Sequence, residues 1–283
     1  MPNLGNGVLA VRELATFATK LTPERGSAQL DWSGCRYFPA QFVAVLDGLL
    51  ARSGLTSEQV AMIGLHPKVE QILRRNAYLL PYGFPALDDG YGTTIPSRRY
   101  TLDEHRRFAA DVRTEYIGRV EFPSVSDGVA YRLTQSLLEV YVNARMHSAS
   151  AHGVFVCGQS FRQRQRLALV VYDCGLGIPS SVRSFLPERL DDVDAITWAM
   201  TSGNTTKASS GGLGLALLEE FIKLNSGQLA VVSGRGAYLV ESGKARSAQL
   251  ADPLPGTCIS VSVRTNDNNV YTMEEESHGR DIF

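Results

Sequence analysis

Between Leu133 and His147 two patterns share one segment, and together they limit the fold more than any other part of the chain. Glu139, Asn143 and His147 recur at intervals of four, while Leu133, Leu137, Val140, Tyr141 and Ala144 form an apolar stripe beside them. At roughly 3.6 residues per turn, a row spaced by four drifts only slowly around a helix, so a carboxylate, an amide and an imidazole share one face. The segment reads as an amphipathic helix that lies on a core and turns its polar row toward the margin of that core, where a cleft belongs. Such a helix needs a second layer for its stripe to cover.

The chain has the means to supply that layer. Its 283 residues exceed one domain of ordinary size, roughly 100 to 200 residues, and leave room for two. With 44% apolar and 20% charged residues the composition is that of an ordered globular protein. A formal net charge of -1 offers no general attraction to nucleic acid or anionic lipid, so neither is expected as a partner. Arg162, Arg164 and Arg166, with Gln163 and Gln165 between them, read as a solvated turn before a strand. Cys35, Cys157, Cys174 and Cys258 are widely separated and contain no Cys-x-x-Cys pair, which argues against a zinc knuckle or a disulfide framework and for a reducing cytoplasm. The start lacks a basic segment followed by an apolar run, and nowhere are 18 consecutive residues apolar, so no secretion signal and no membrane span are expected.

Along the chain, residues 30–80 read as strand, helix, strand, helix, with an amphipathic run over 42–50, a short apolar strand over 60–65 and a second helix over 68–78. Breakers and turn formers crowd residues 81–96, and a helix over about 102–116 follows. The expected organisation is a small α/β domain over 1–100 that ends in a linker at 81–100, a second domain over 101–265, and a flexible polar tail over 266–283. In the second domain, strands are expected near 153–157 and over the Val-rich run 167–172, and a helix over 213–224 with Gly227 as its left-handed cap. A hairpin is expected from 228–232 and 237–240 around Ser-Gly-Arg-Gly, then a final strand over 258–263 with one buried face.

Two glycine-rich segments follow the amphipathic helix. Asp173-Cys174-Gly175-Leu176-Gly177-Ile178 comes directly after the strand 167–172, so a carboxylate stands on a rigid element while glycines let backbone approach a flat ligand. An adenine amino group suits Asp173, although a tight strand-to-helix turn without a ligand uses the same residues. Gly211-Gly212-Leu213-Gly214-Leu215 opens a helix, whose unpaired N–H groups and positive dipole end suit phosphate oxygens. The small, polar stretch 201–210 before it, with Lys207 as its one cation, reads as a lid or as an ordinary surface loop. A Walker loop fails because Gly243-Lys244 is followed by Ala245, and a dinucleotide fingerprint fails at Leu217.

In their order and span, over residues 120–265, these motifs resemble the GHKL family, the ATP-binding Bergerat fold shared by gyrase, MutL, sensor histidine kinases and anti-sigma-factor kinases. Glu139-x-x-x-Asn143 looks like its N box, Asp173-x-Gly175-x-Gly177 its first glycine box and Gly212-x-Gly214 its second. The resemblance implies an α/β fold, a two-layer α/β sandwich with helices on one mixed sheet, and ATP held with Mg²⁺ between the N-box helix and the lid. By that resemblance Asn143 ligates Mg²⁺, Glu139 is the general base, Asp173 reads adenine, and Gly175, Gly177, Ile178, Lys207, Gly212, Leu213 and Gly214 surround the nucleotide. Gly256-Thr257 is similar to the family's Gly-Thr, whose hydroxyl helps hold the adenine-reading Asp, and His147 stands where some relatives face phosphate. The N-terminal region resembles a STAS domain more loosely, through Leu30–Cys35 and Gly64–Val69, and implies a partner-binding or dimerising role; Ser33 is the one acceptor that segment offers, and it equally suits a turn. The functions expected are a slow Mg²⁺-dependent ATPase or ATP-driven switch, a serine protein kinase of the anti-sigma-factor type, or a nucleotide-sensing module without catalysis. A sensor histidine kinase fits less well, because His105 lacks the usual following Pro.

Overall fold

The structure is a computed structural model that describes residues 1–2, 4, 7–21, 26–147, 152–186, 188, 190–204 and 214–273, with the backbone alone for 144–147. In chain order its elements are α1 (Val8–Lys20), β1 (Ala28–Asp31), α2 (Val43–Arg52), β2 (Val60–Ile63), α3 (Pro67–Arg75), β3 (Thr94–Tyr100), α4 (His105–Val112), β4 (Ser124–Val125) and α5 (Asp127–His147). There follow β5 (Val154–Phe161), β6 (Arg166–Asp173), α6 (Ile178–Phe185), α7 (Asp192–Met200), α8 (Gly214–Leu224), β7 (Gln228–Glu241), β8 (Lys244–Arg264) and β9 (Val270–Tyr271). The fold is α/β, as expected. Its main sheet has the order β3-β5-β6-β8-β7 with every neighbouring pair antiparallel, while parallel pairing is confined to β1 with β2 and β4 with β9.

Two cores share that sheet as a common wall. Side chains alternate across a strand, and the alternation divides the apolar residues cleanly. Val154, Val156, Leu167, Leu169, Val171, Ile259, Val261 and Val263 join the stripe of α5 (Leu133, Leu137, Val140 and Tyr141) together with Phe221 and Ile222 of α8. Phe155, Cys157, Val170, Tyr172, Val232 and Cys258 join the N-terminal elements, including Leu14 of α1 and Val45, Leu46 and Leu49 of α2. Full burial of a Val, Leu or Phe side chain contributes roughly 1.5–3 kcal/mol, so each face is a substantial source of stability. Helix α2 reaches the sheet closely because Gly48 has no side chain: a Cβ there would lie 2.5 Å from Cε1 of Tyr172 and 3.0 Å from Cδ2 of Phe155.

Several expectations are corrected. Residues 94–100, read as the end of a linker, form the edge strand β3, because Ile95 and Tyr100 are buried against the sheet. The strand over 258–263 was expected to bury one face and buries both, since the N-terminal elements cover the second. The reversal between β7 and β8 falls at Ser242-Gly243, both left-handed (φ 51° and 74°), which is the geometry of a two-residue hairpin. Ser233–Gly236 instead lies within β7, where Gly234 (φ 58°) bulges the strand and Gly236 makes room for Asp192 of α7. The left-handed residue after α8 is Ser226 (φ 54°); Gly227 serves close approach, since a Cβ on it would lie 2.6 Å from the Ser262 carbonyl oxygen. Residues 266–273 are anchored: β9 pairs with β4, Tyr271 packs edge-on to Phe221, and the Asn225 amide donates to Asp267. Residues 274–283 of the expected tail lie outside the described residues. Ser33 is a turn residue, its backbone N–H and hydroxyl both donating to Asp31 Oδ1 (2.8 and 2.6 Å), which holds that carboxyl below its usual range.

Candidate functional site

Asp173 is the last residue of β6, and the register of the sheet sets it opposite Thr257 of β8, which is in turn opposite Ser233 of β7. By alternation all three side chains lie on the face that carries α5, in line with Val171, Ile259 and Val231. The row is buried: Asp173, Thr257 and Ser233 are 5%, 6% and 0% exposed. It is also tied to the loop that follows β6. Asp173 Oδ1 accepts from the Gly175 N–H (3.0 Å), and Ser233 Oγ accepts from the Ile178 N–H (2.9 Å) while donating to the Gly256 carbonyl (2.6 Å). The Ser233 and Thr257 hydroxyls lie 3.3 Å apart.

Two glycines make this corner possible. Gly177 (φ 81°) precedes α6, and a Cβ on it would lie 2.4 Å from Ser233 Oγ; Gly256 (φ 78°) would drive a Cβ to 1.9 Å from the Asp173 carbonyl oxygen. Both are left-handed, and both are pressed against neighbours that a side chain would displace. Burial pushes the Asp173 carboxyl up to about 6, against the opposing pull of the Gly175 N–H and of Thr257. A carboxylate so placed retains acceptor capacity for one more donor, since its two oxygens offer about four lone-pair sites.

Helix α5 brings a second group to the same face. Glu139 is half-buried and its Oε2 accepts from the Gly214 N–H (3.2 Å) at the start of α8. A Cβ on Gly214 would lie 2.5 Å from that oxygen, so the glycine lets the carboxylate sit at the positive end of the helix dipole. Asn143, one turn further along α5, is exposed. Thus Asp173, Gly175, Gly177, Ile178 and Thr257 are brought together, and Glu139 and Gly214 form a pair of their own. Lys207, Gly212 and Leu213 lie outside the described residues, as does the side chain of His147.

Ser233 belongs to the row and was not singled out from sequence, because Ser-Gly-Arg-Gly reads as a turn. Its signal was available in the pairing of two polar residues, Ser233 and Thr257, each next to a glycine in an otherwise apolar strand pair. Arg52 was also missed: its Nη1 donates to the Cys174 carbonyl (2.8 Å), joining the end of α2 to the glycine-rich loop. Chemically, the row offers one buried acceptor for a ligand amino group, and the α5 side offers a carboxylate and an exposed amide oxygen. Among the described residues no three His, Cys, Asp or Glu side chains converge as a metal site. A hard cation here would therefore need oxygens brought by its own ligand in addition to Asn143.

No protein-family model matches the chain. Three curated proteins are similar to part of it. A probable sensor histidine kinase, TcrY, of Mycobacterium tuberculosis is 32% identical over 114 residues, covering 40% of this chain and 22% of the relative. The sensor histidine kinase ZraS of Salmonella typhi and that of Salmonella typhimurium are each 32% identical over 108 residues, 38% of this chain and 20% of the relative. The chain spans about a fifth of the length of these relatives. No helix among the described residues is long and apolar enough to cross a membrane. The chain is thus an α/β protein with a region distantly similar to sensor histidine kinases.

Proposed function

We propose that this protein binds ATP with Mg²⁺ in the cleft between α5 and the ends of β6, β7 and β8, and that it hydrolyses the nucleotide slowly or uses it as a conformational switch. The observation that carries the reading is the row Asp173–Thr257–Ser233, a buried carboxylate fixed by backbone and hydroxyl groups at the mouth of a glycine-rich loop. Asp173 accepts the adenine amino group, with Thr257 orienting the carboxylate. Glu139 is the general base, released from the Gly214 N–H when phosphate takes its place at the start of α8. Asn143, with the phosphates, would hold Mg²⁺, which would supply charge neutralisation at the reacting group. Residues 1–100 are the partner-binding or dimerising part, and the Arg52 bond to Cys174 O connects them to the nucleotide loop. Lys207, Gly212, Leu213 and His147 are assigned to the phosphates by the resemblance alone, and the protein is taken to be cytoplasmic.

Calorimetry with ATP and Mg²⁺, paired with phosphate release, tests this. Wild type binds, Asp173→Asn loses binding by at least tenfold, and Glu139→Gln keeps binding but loses turnover. Glutamine still offers an oxygen to the Gly214 N–H, so the packing of α8 survives the change. Normal turnover by Glu139→Gln overturns the general base, and unchanged binding by Asp173→Asn overturns the site. Transfer of labelled γ-phosphate to serine of a partner protein would make the same site that of a protein kinase; tight binding without turnover or transfer would make it a nucleotide sensor.

A further inference from the structure

On the opposite face of the main sheet, a cavity of about 400 Å³ opens between the first turn of α1 and the ends of β6, β7 and β8. Its walls include Ser260 and Ser262, which alternate with the α5-facing Ile259, Val261 and Val263, and Arg166 and Ala168 at the start of β6, so it lies on the other face of the sheet from Asp173 and toward the other end of that strand.

Its charge is one-sided. Arg164, Arg166 and Arg246 line it, against the single carboxylate of Glu241, whose Oε1 accepts from Gln228 Nε2 (2.6 Å). None of the three guanidinium groups forms an ion pair among the described residues. Two of them are fixed in place by neutral contacts: Arg164 Nη1 donates to the Tyr37 hydroxyl (3.2 Å) and stacks over the Tyr37 ring, and Arg166 Nη1 donates to the Ser226 carbonyl (3.1 Å). Each guanidinium carries five N–H donors, so most remain available. Burial, and then the neighbouring Arg264, lower the Arg166 pKa, while Glu241 pulls the other way.

Two further features point inward. Gly7, Val8 and Leu9 line the cavity at the start of the 13-residue α1, which has no side-chain cap, so its first-turn N–H groups and dipole add to the positive wall. Gln41, also lining the cavity, is 5% exposed, and its Oε1 is buried without a hydrogen-bond partner among the described residues. A buried amide oxygen without a donor costs about 1–3 kcal/mol, and a ligand hydroxyl would supply one.

We propose that this cavity is a second ligand site, for a small phosphate monoester that carries hydroxyl groups. Three arginines less one glutamate leave two positive charges, which balance the charge of a phosphate monoester at neutral pH, roughly -1.5 to -2. Guanidinium forks and helix N-termini are both suited to phosphate oxygens. The volume exceeds what inorganic phosphate alone needs and accommodates a sugar-sized body reaching Gln41.

Calorimetry on the full chain with three probes tests the site: glucose 6-phosphate, inorganic phosphate and glucose. Glucose 6-phosphate binds, inorganic phosphate binds more weakly and glucose does not. Arg246→Ala, an exposed position that leaves the fold intact, weakens both phosphates by about tenfold or more, the loss of one charge-assisted contact. Gln41→Leu weakens glucose 6-phosphate toward the level of inorganic phosphate and leaves inorganic phosphate unchanged, with melting curves confirming that the variant folds. Saturating ATP does not displace the probe. No binding of either phosphate, an unchanged affinity in Arg246→Ala, or displacement by ATP would each overturn the proposal. The last outcome would assign the probe to the cleft of Asp173 instead.

Discussion

Tyr172 and Asp173 are adjacent in β6, yet they report opposite faces of one sheet. Tyr172 is fully buried under α2, and its hydroxyl donates to the Pro255 carbonyl (2.6 Å). Asp173 lies on the α5 face at the mouth of a glycine-rich loop, equally covered by protein but left with acceptor capacity. At this end of the sheet the first face is sealed by aromatic and aliphatic packing, and the second carries a row of polar side chains. The contrast shows how a rigid polar site is made. Because the N-terminal elements cover the sheet behind Asp173, the α5 side can carry a desolvated carboxylate on strands that do not give way. Packing on one face offsets what polar burial costs on the other.

The comparison breaks first at Gly256. A Cβ there meets the backbone of Asp173 at 1.9 Å, in a left-handed conformation, so neither side chain nor strand can yield cheaply. Gly256→Ala is expected to cost at least about 3 kcal/mol and, for a chain of this size, to lower the melting temperature by roughly 6–12 °C. A thermal melt that moves by less than a degree or two would show that the corner is not strained as described. The other face is tested by Gly48→Val, which puts a branched side chain against Tyr172 and Phe155. About 2–3 kcal/mol of destabilisation is expected in urea unfolding, with α2 displaced from the sheet. If ATP affinity in this variant is unchanged, the two faces are energetically independent; if it falls, they act as one body.

Asp173→Asn sharpens the contrast with an effect of opposite sign that vanishes at low pH. With its pKa pushed up to about 6 in the folded protein, from an unfolded value of 3.8, the folded state holds the proton more tightly than the unfolded chain does. Wild-type stability is therefore highest at or below about pH 4, falls as pH rises toward 6, and is level above it so far as this group is concerned. The amide does not ionise. The variant should gain on wild type across that window, by about 2–3 kcal/mol at pH 7, as read by urea unfolding at pH 4.5, 6 and 7.5. Asp47, also pushed up to about 6 by burial, titrates equally in both proteins and cancels from the difference. A difference that does not change with pH would show that Asp173 is not desolvated.

Much of this architecture was legible in the chain. The apolar runs of β5 and β6 and the stripe of α5 are periodic and long, so tertiary context had little to override. The layer over the second face was not legible, because alternation cannot say which distant segment covers a strand; hence β8 was expected to bury one face and buries two. Glycines misled where they served space rather than turning. Gly234 and Gly236 accommodate α7 within a continuous strand, and the chain reverses later, at Ser242-Gly243. For the candidate site, Asp173 stood out because a carboxylate ended a Val-rich run. Ser233 did not, because its role arises from the register of β7 on β8, and the contact of Glu139 with Gly214 joins positions 75 residues apart.

The shared wall also orders events during synthesis. Helix α1 is made among the first residues, yet it packs on β7 and β8, and Thr16 finds its hydrogen-bond partner in Asp252, 236 positions later. Helix α2 likewise awaits β5 and β6, about a hundred residues downstream. Contacts so remote in sequence form slowly, since the loop-closure entropy is spent before they form. Until β5 and β6 leave the ribosome, the apolar surface of Val45, Leu46 and Leu49 has no sheet to cover it, and the nascent N-terminal third is the part of this protein most in need of a chaperone.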